Sequence, residues 1–306
     1  MVEHRLAEPT ATIAPHAIGK PSRRRLSGLS LLLREPRVLL AGGFLLLLLA
    51  AAIVAPAVAP HDPLEQDLML NTLPPAWDSE AEPGYLLGTD SLGRDVLSRL
   101  IYGGRVAFTV AIVAALAAGV IGTALGLVAG YFGGWVDAAI SRVIDIWMAF
   151  PPVLLSILLV AVIGTGVTSV ILAIVVIDWT RFCRVVRSET LQQAKMEYVD
   201  AAVTLGTGRW RILLKEILPN VLPVVVVLLS LEMGIAVIVE AVLSFVGLSV
   251  SSDTPTWGGM IAEGRQIIYQ AWWVLVFPLV LLFATVLAFN QLGDGIRRLT
   301  DPVLRR

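Results

Sequence analysis

Six apolar runs, near residues 38–59, 106–130, 136–163, 167–186, 221–248 and 271–292, decide most of what this chain can fold into. A helix rises 1.5 Å per residue, so about twenty residues cross the roughly 30 Å hydrocarbon layer of a bilayer. In lipid every backbone N–H and C=O needs an internal partner, which leaves only helices and closed barrels. These runs are far too long for barrel strands. Composition agrees: 57% of the residues are apolar and only 15% charged, where soluble domains carry about 25% charged residues. The expected fold is an all-α membrane protein with six transmembrane helices.

Orientation follows from the basic residues. All but four of the 23 lysines and arginines lie in the tail 1–37, at the start of the third run, in the segment 181–220, or from Arg297 onward. Arg94, Arg99, Arg105 and Arg265 form the remainder. The positive-inside rule therefore places both termini and the 181–220 segment in the cytoplasm. The net charge of −1 adds nothing, because the charges are segregated. Residues 1–35, rich in Ala and Pro, read as a disordered cytoplasmic tail. Residues 36–306 form the membrane domain, with outer loops 60–105 and 249–270 and a cytoplasmic loop 187–220. Arg23-Arg24-Arg25, an apolar stretch and Ala57-Val58-Ala59 imitate a cleaved secretory signal. The run of about 22 residues exceeds the usual 7–15 of a signal core, so a retained first helix is expected.

Several residue patterns carry information beyond topology. Ala114, Ala118, Gly122, Gly126 and Gly130 recur every fourth residue on the second run, making one small-residue face that admits a close neighbour, in this chain or another. Pro151-Pro152 should interrupt the third helix. In the first outer loop, Asp90 or Ser91 is placed to cap a helix. Leu92, Val96, Leu97, Leu100 and Ile101 then recur at helical spacing, as an amphipathic elbow on the outer interface would. In the cytoplasmic segment, Asp200-Ala201-Ala202, Gly206 and Leu218-Pro219 mark a structured loop leading into the fifth run. Pro219 suits the first turn of that helix.

Ionisable residues within spans are functional candidates because desolvating them costs several kcal/mol. Asp178 and Arg181 are expected to pair at i,i+3, and Asp145 with Arg142 likewise. Glu232 and Glu240, about 80° apart on the fifth helix, face either a solute pathway or an interhelix polar contact. An intramembrane aspartyl dyad of Asp145 and Asp178, with Gly293-Asp294-Gly295 nearby, is the enzymatic alternative. Against it, Arg181 keeps Asp178 ionised and glycines end helices in any case. Cys183, the sole cysteine, reads as a packed thiol. His4, His16 and His61 are not placed for metal or base chemistry in the membrane. No G-x-x-x-x-G-K-[ST] occurs, so the chain does not hydrolyse ATP through a phosphate-binding loop. No catalytic residue, metal site or nucleic-acid partner is expected, and a secondary transporter is the rival transport class.

One family resemblance joins these features. Leu87-Gly88-Thr89-Asp90, Gly93-Arg94-Asp95, Ser98-Arg99, Gly103 and Arg105 resemble the outer-loop signature of dipeptide/oligopeptide/nickel-type ABC permeases, specifically the C-type subunit. Gly130-Tyr131-Phe132-Gly133-Gly134, Glu240 to Leu248, Thr256-Trp257-Gly258, Asn290 to Arg297 and Asp301-Pro302 continue it in one register. The resemblance implies a type I ABC importer permease fold and a place in a bacterial or archaeal cytoplasmic membrane. It implies a homologous second permease, two cytoplasmic ATPases (or a fused equivalent) that bind ATP and Mg, and an extracytoplasmic solute-binding protein. It makes Asp200, Ala201, Ala202, Gly206, Leu218 and Pro219 the ATPase-coupling loop. The chain departs from the family pattern in having Asp200 for Glu, and Glu216 at the expected Ile with Ile217 beside it. Di- and oligopeptides are the implied cargo, with nickel chelates and glutathione-like solutes as alternatives.

Overall fold

The computed structural model describes residues 35–250 and 253–300; the expected tail lies outside them except for Glu35. Its helices are α1 (Pro36–Ile53), α2 (Val96–Phe132), α3 (Gly134–Met148), α4 (Pro152–Ile163), α5 (Val167–Gln193), α6 (Glu197–Thr204), α7 (Leu218–Phe245), α8 (Trp257–Gln266) and α9 (Trp272–Thr300). A short helix Arg209–Ile212 and a π-turn Leu213–Ile217 run directly into α7, giving one helical rod Arg209–Phe245 of 37 residues. Among the described residues the only β pairing is the bridge Thr89–Asp95.

By length and apolar composition, α1, α2, the Arg209–Phe245 rod and α9 can each cross a membrane. The pair α3 and α4 is a fifth candidate, bent by 86° at Ala149–Pro151. Proline cannot donate a helical hydrogen bond and its ring crowds the preceding turn, so the Pro151-Pro152 pair breaks the helix outright. α5 holds the place of the fourth expected run, but Asp178, Arg181, Arg184 and Arg187 occupy its second half. Arg181 to Gln193 is thus helix, and the connection that follows starts only at Ala194.

The small-residue ladder finds its neighbour within this chain. Ala114, Ala118, Gly122, Gly126 and Gly130 are buried, and α2 lies parallel to α5 along them. A Cβ on Gly126 would sit 2.8 Å from the Cys183 carbonyl oxygen and 2.9 Å from Val186, and one on Gly130 would sit 2.7 Å from Thr190. Cys183 is fully buried in this seam. α7 crosses the pair antiparallel, with Leu229 over Gly119, and α9 returns along α7 with Gly293 beside Ser230. Gly295 meets Val38 of α1, and Arg298 pairs with Glu35 at 3.3 Å. Both described ends therefore share the end of the bundle that carries residues 194–217. α1 is integrated into this packing through Ala41 and Leu45. Arg105 closes its far end by donating to the Ala52 carbonyl at 2.6 Å and that of Ile53 at 3.0 Å.

Two expectations give way to packing. The amphipathic elbow is absent: α2 starts at Val96, capped by Asp95 rather than Asp90 or Ser91, and the outer loop ends there instead of at 105. Its polar side is inside, since Asp90, Arg94, Asp95, Ser98 and Arg99 are all buried. Gly293-Asp294-Gly295 does not end a helix, because α9 continues to Thr300 and both glycines serve contacts. Pro219 stands in the first turn of α7, as expected. The π-turn before it widens the ladder locally, which suits a residue that lacks an N–H.

Candidate functional site

The end of the bundle bearing 194–220 is built from two surfaces. Inward, Val199, Ile212, Leu213, Ile217 and Val221 bury against Leu127 and Val186. The Trp210 ring packs tilted against that of Phe132, the last residue of α2, with centroids 5.0 Å apart. The Tyr198 hydroxyl donates to Gln193 Oε1 at 2.9 Å, and Asn220 Nδ2 donates to the Glu216 carbonyl at 2.7 Å. Burial, with Glu216 and Glu189 nearby, pushes the Tyr198 phenol above its ordinary pKa, so it stays protonated as a donor. Ile217 is buried and Glu216 exposed, so the departure at this position keeps an Ile in the core one residue later.

Outward, the same segment exposes Asp200, Ala201, Val203 and Leu205, the last at 85%. α6 stops in a defined way. Gly206 N–H donates to the Val203 carbonyl at 2.9 Å and Thr207 N–H to that of Ala202 at 3.0 Å. With Gly206 at φ +76°, this is a Schellman cap, whose left-handed position favours glycine. The spacing from Ala202 to Gly206 is therefore the spacing from the third-last carbonyl of the helix to its cap. Ala202 is half-buried, Leu218 is half-buried, and Pro219 is exposed at the root of the rod. The apolar side chains Val203, Leu205 and Trp210 stood outside the sequence reading. Their apolar character among charged neighbours was the available signal.

The arginines of α5 pair across helices, not along their own. Arg187 of α5 forks onto Asp137 of α3, Arg184 bonds Asp145 of α3 at 3.1 Å, and Arg181 approaches Glu232 of α7 at 3.5 Å. The expected pairs Asp178–Arg181 and Asp145–Arg142 are replaced by these. Asp178 and Glu232 are both buried, and Glu232 Oε1 has no hydrogen-bond partner among the described residues. Asp145 is exposed and tied to Arg184, so Asp145 and Asp178 form no dyad. Glu240 is buried and accepts from Ser244 Oγ at 2.6 Å and Ser249 Oγ at 3.2 Å. It joins the end of α7 to the loop that also receives Gly166 N–H at the Ser249 carbonyl, a structural polar contact.

At the opposite end the outer-loop motif closes around one acid. Asp90 Oδ2 accepts from Arg94 at 2.8 Å and from Arg99, while Glu263 of α8 accepts from Arg94 at 2.8 Å and Arg99 at 2.7 Å. Trp273 Nε1 donates to the Thr89 carbonyl at 3.0 Å, and Trp257 Nε1 to that of Leu100 at 2.9 Å. Gly103 admits the Trp257 ring, with its would-be Cβ only 2.8 Å away. These contacts lock the outer loop onto α2, α8 and α9. Glu263 went unnoticed in sequence because its partners lie more than 160 residues away.

Known proteins place this architecture. Residues 122–306 match the model of binding-protein-dependent transport system inner membrane components, and residues 30–75 match the N-terminal transmembrane domain of oligopeptide transport permease C. The dipeptide transport system permease protein DppC of Haemophilus influenzae is 37% identical over 86% of this chain and 89% of its own. The protein of the same name in Bacillus subtilis is 38% identical over 90% and 84%. The glutathione transport system permease protein GsiD of Pectobacterium atrosepticum is 42% identical over 72% and 73%. Among solved structures, an inward-facing MetNI methionine ABC transporter matches with a TM-score of 0.57 at 21% identity, covering 66% of this chain and 96% of that one.

Proposed function

The chain belongs to the family of binding-protein-dependent transport system inner membrane components, and from that premise we propose how it works and what it carries. It is the membrane-spanning permease subunit of an ABC importer, not itself catalytic. In this reading it crosses the cytoplasmic membrane of a bacterium or archaeon six times, with α3 and α4 as one bent crossing and α5 as a charged one. Both termini and residues 194–217 lie on the cytoplasmic side, as the arginine distribution requires. A homologous permease completes the conduit, cytoplasmic ATPases bind ATP and Mg, and an extracytoplasmic binding protein delivers the solute. The cargo is a di- or oligopeptide, by analogy with the relatives named for dipeptides. Glutathione, named in another relative, shares their chemistry of an ammonium and carboxylates. A secondary transporter would have no use for a presented cytoplasmic docking helix.

One observation carries the mechanism: α6 ends in a fixed glycine cap, exposes Ala201, Val203 and Leu205, and leads within a few residues into the Arg209–Phe245 rod. A rod of 37 residues is about 55 Å long at 1.5 Å per residue. Small Ala201 lets a partner surface come close, and Val203 and Leu205 supply apolar area for it. A partner that closes on ATP and pulls on α6 moves the base of α7, and with it Glu232 between α5 and α7. Alternating access follows if that movement exchanges inward- and outward-facing arrangements of the two permeases. Gly206→Pro cannot hold φ +76°, because proline fixes φ near −65°. In the reconstituted complex, Gly206→Pro and Ala201→Trp should cut ATP-driven peptide uptake at least about tenfold while the subunits still assemble. Unchanged uptake would refute the coupling role.

A further inference from the structure

Arg181 lies halfway along α5, fourteen residues from its start at Val167 and twelve from its end at Gln193, and Glu232 lies at the middle of α7. If these helices span the membrane, both side chains sit near the bilayer midplane. The Arg181 side chain is nevertheless 43% exposed. A guanidinium facing lipid at that depth costs at least about 2.5–3.5 kcal/mol, so this face of α5 must border water or another chain. Arg181 approaches Glu232 at 3.5 Å and makes no hydrogen bond among the described residues. The planar donor fork is thus held by an acid behind it and left open in front. Such a fork matches a carboxylate bidentately. One turn nearer the basic end, Arg184 and Asp145 continue the charged face, both exposed and paired at 3.1 Å. These charges stand beside exposed apolar side chains of α3 such as Val143 and Ile146, so the charged strip is narrow and centred on Arg181, Arg184 and Asp145.

We propose that Arg181 is a transit contact of the conduit, gripping a carboxylate of the passing solute at mid-membrane, with Glu232 as the positioning residue that holds its guanidinium toward the channel. Buried Glu232 does not touch the solute. It anchors the arginine from behind and offsets its charge when the conduit is empty. The assignment rests on the peptide-importer reading for its cargo, and on the exposed charge alone for its wet face. It also accounts for an arginine, rather than a lysine, at this depth: a fork can hold Glu232 with one edge and still present another.

Two measurements on the whole reconstituted complex test it separately. In the first, Arg181→Cys is treated with a membrane-impermeant cationic thiosulfonate and labelling of this chain is read by mass. The native chain is the blank, because its one cysteine is Cys183 and is fully buried. Leu46→Cys on α1, exposed at 67%, is the lipid-facing control. Labelling of Arg181→Cys alone is expected; failure to label it overturns the wet face and the proposal. In the second, uptake of dialanine and ATPase stimulation by the loaded binding protein are measured together. Arg181→Gln should lower dialanine moved per ATP about tenfold, the scale of one lost charged hydrogen bond, with stimulation retained. Arg181→Lys should recover part of the loss. Uptake and stimulation falling together, or neither moving, would overturn the transit contact. No dialanine uptake by the native complex, with labelling intact, would instead overturn the peptide reading and the cargo assignment that rests on it.

Discussion

Gly126 shows most plainly how single residues set this architecture, since its missing side chain lets α2 and α5 run against each other backbone to backbone. A valine there would put its Cβ within 2.9 Å of Val186 and 2.8 Å of the Cys183 carbonyl. Relief needs the helices to separate, and overpacking of this kind costs about 1–3 kcal/mol. Gly126→Val should therefore lower the thermal unfolding midpoint of the purified complex. Gly42→Ala should not lower it, because nothing lies within 4 Å of a Cβ at that position and alanine suits a helix interior better than glycine. Equal effects from the two changes would mean that the seam does not hold the bundle. The four-residue spacing made this face visible in sequence. Which helix covers it was not, because small residues advertise close approach without naming the neighbour.

At the scale of elements, the outer end depends on a buried ionic group rather than on apolar area. Asp90 has a fully buried side chain and receives two arginines, while Glu263 is 37% exposed and receives the same two. Removing one partner of a buried pair leaves a charge uncompensated, at a cost of roughly 3–5 kcal/mol. Asp90→Asn should accordingly destabilise the protein strongly, whereas solvent around Glu263 limits Glu263→Gln to about 1–2 kcal/mol. Denaturation of the two variants in detergent gives the order directly, and the reverse order would contradict the geometry. This end also shows where sequence reading fails. Val96, Leu97, Leu100 and Ile101 lie in a helix as their period predicted, Leu92 lies in the turn before it, and the charged residues among them were read as the solvent side. In the structure Arg94 and Arg99 turn inward because Glu263, on a distant helix, neutralises them there. The same limit applies to α5. Spacing paired Asp178 with Arg181 and Asp145 with Arg142, since i,i+3 neighbours are all that a single helix reveals. The partners actually chosen, Glu232 and Arg184, depend on how α3, α5 and α7 pack.

For the whole molecule, the apolar runs gave the helices and their order along the chain, and the proline pair gave the break between α3 and α4. The Asp200–Gly206 spacing was legible because it encodes a local event, the closing of a helix on a left-handed glycine. Its exposed apolar face became evident only once the inward side of the segment was occupied by Val199 and Ile212. The central claim is that this face, centred on Leu205, is where an ATP-driven partner holds the permease. It is tested most directly by a photo-crosslinking amino acid at position 205 in the full complex within intact cells. The claim predicts capture of the ATPase subunit, changed in yield when ATP hydrolysis is blocked. Capture of the extracytoplasmic binding protein, or of lipid alone, would contradict it.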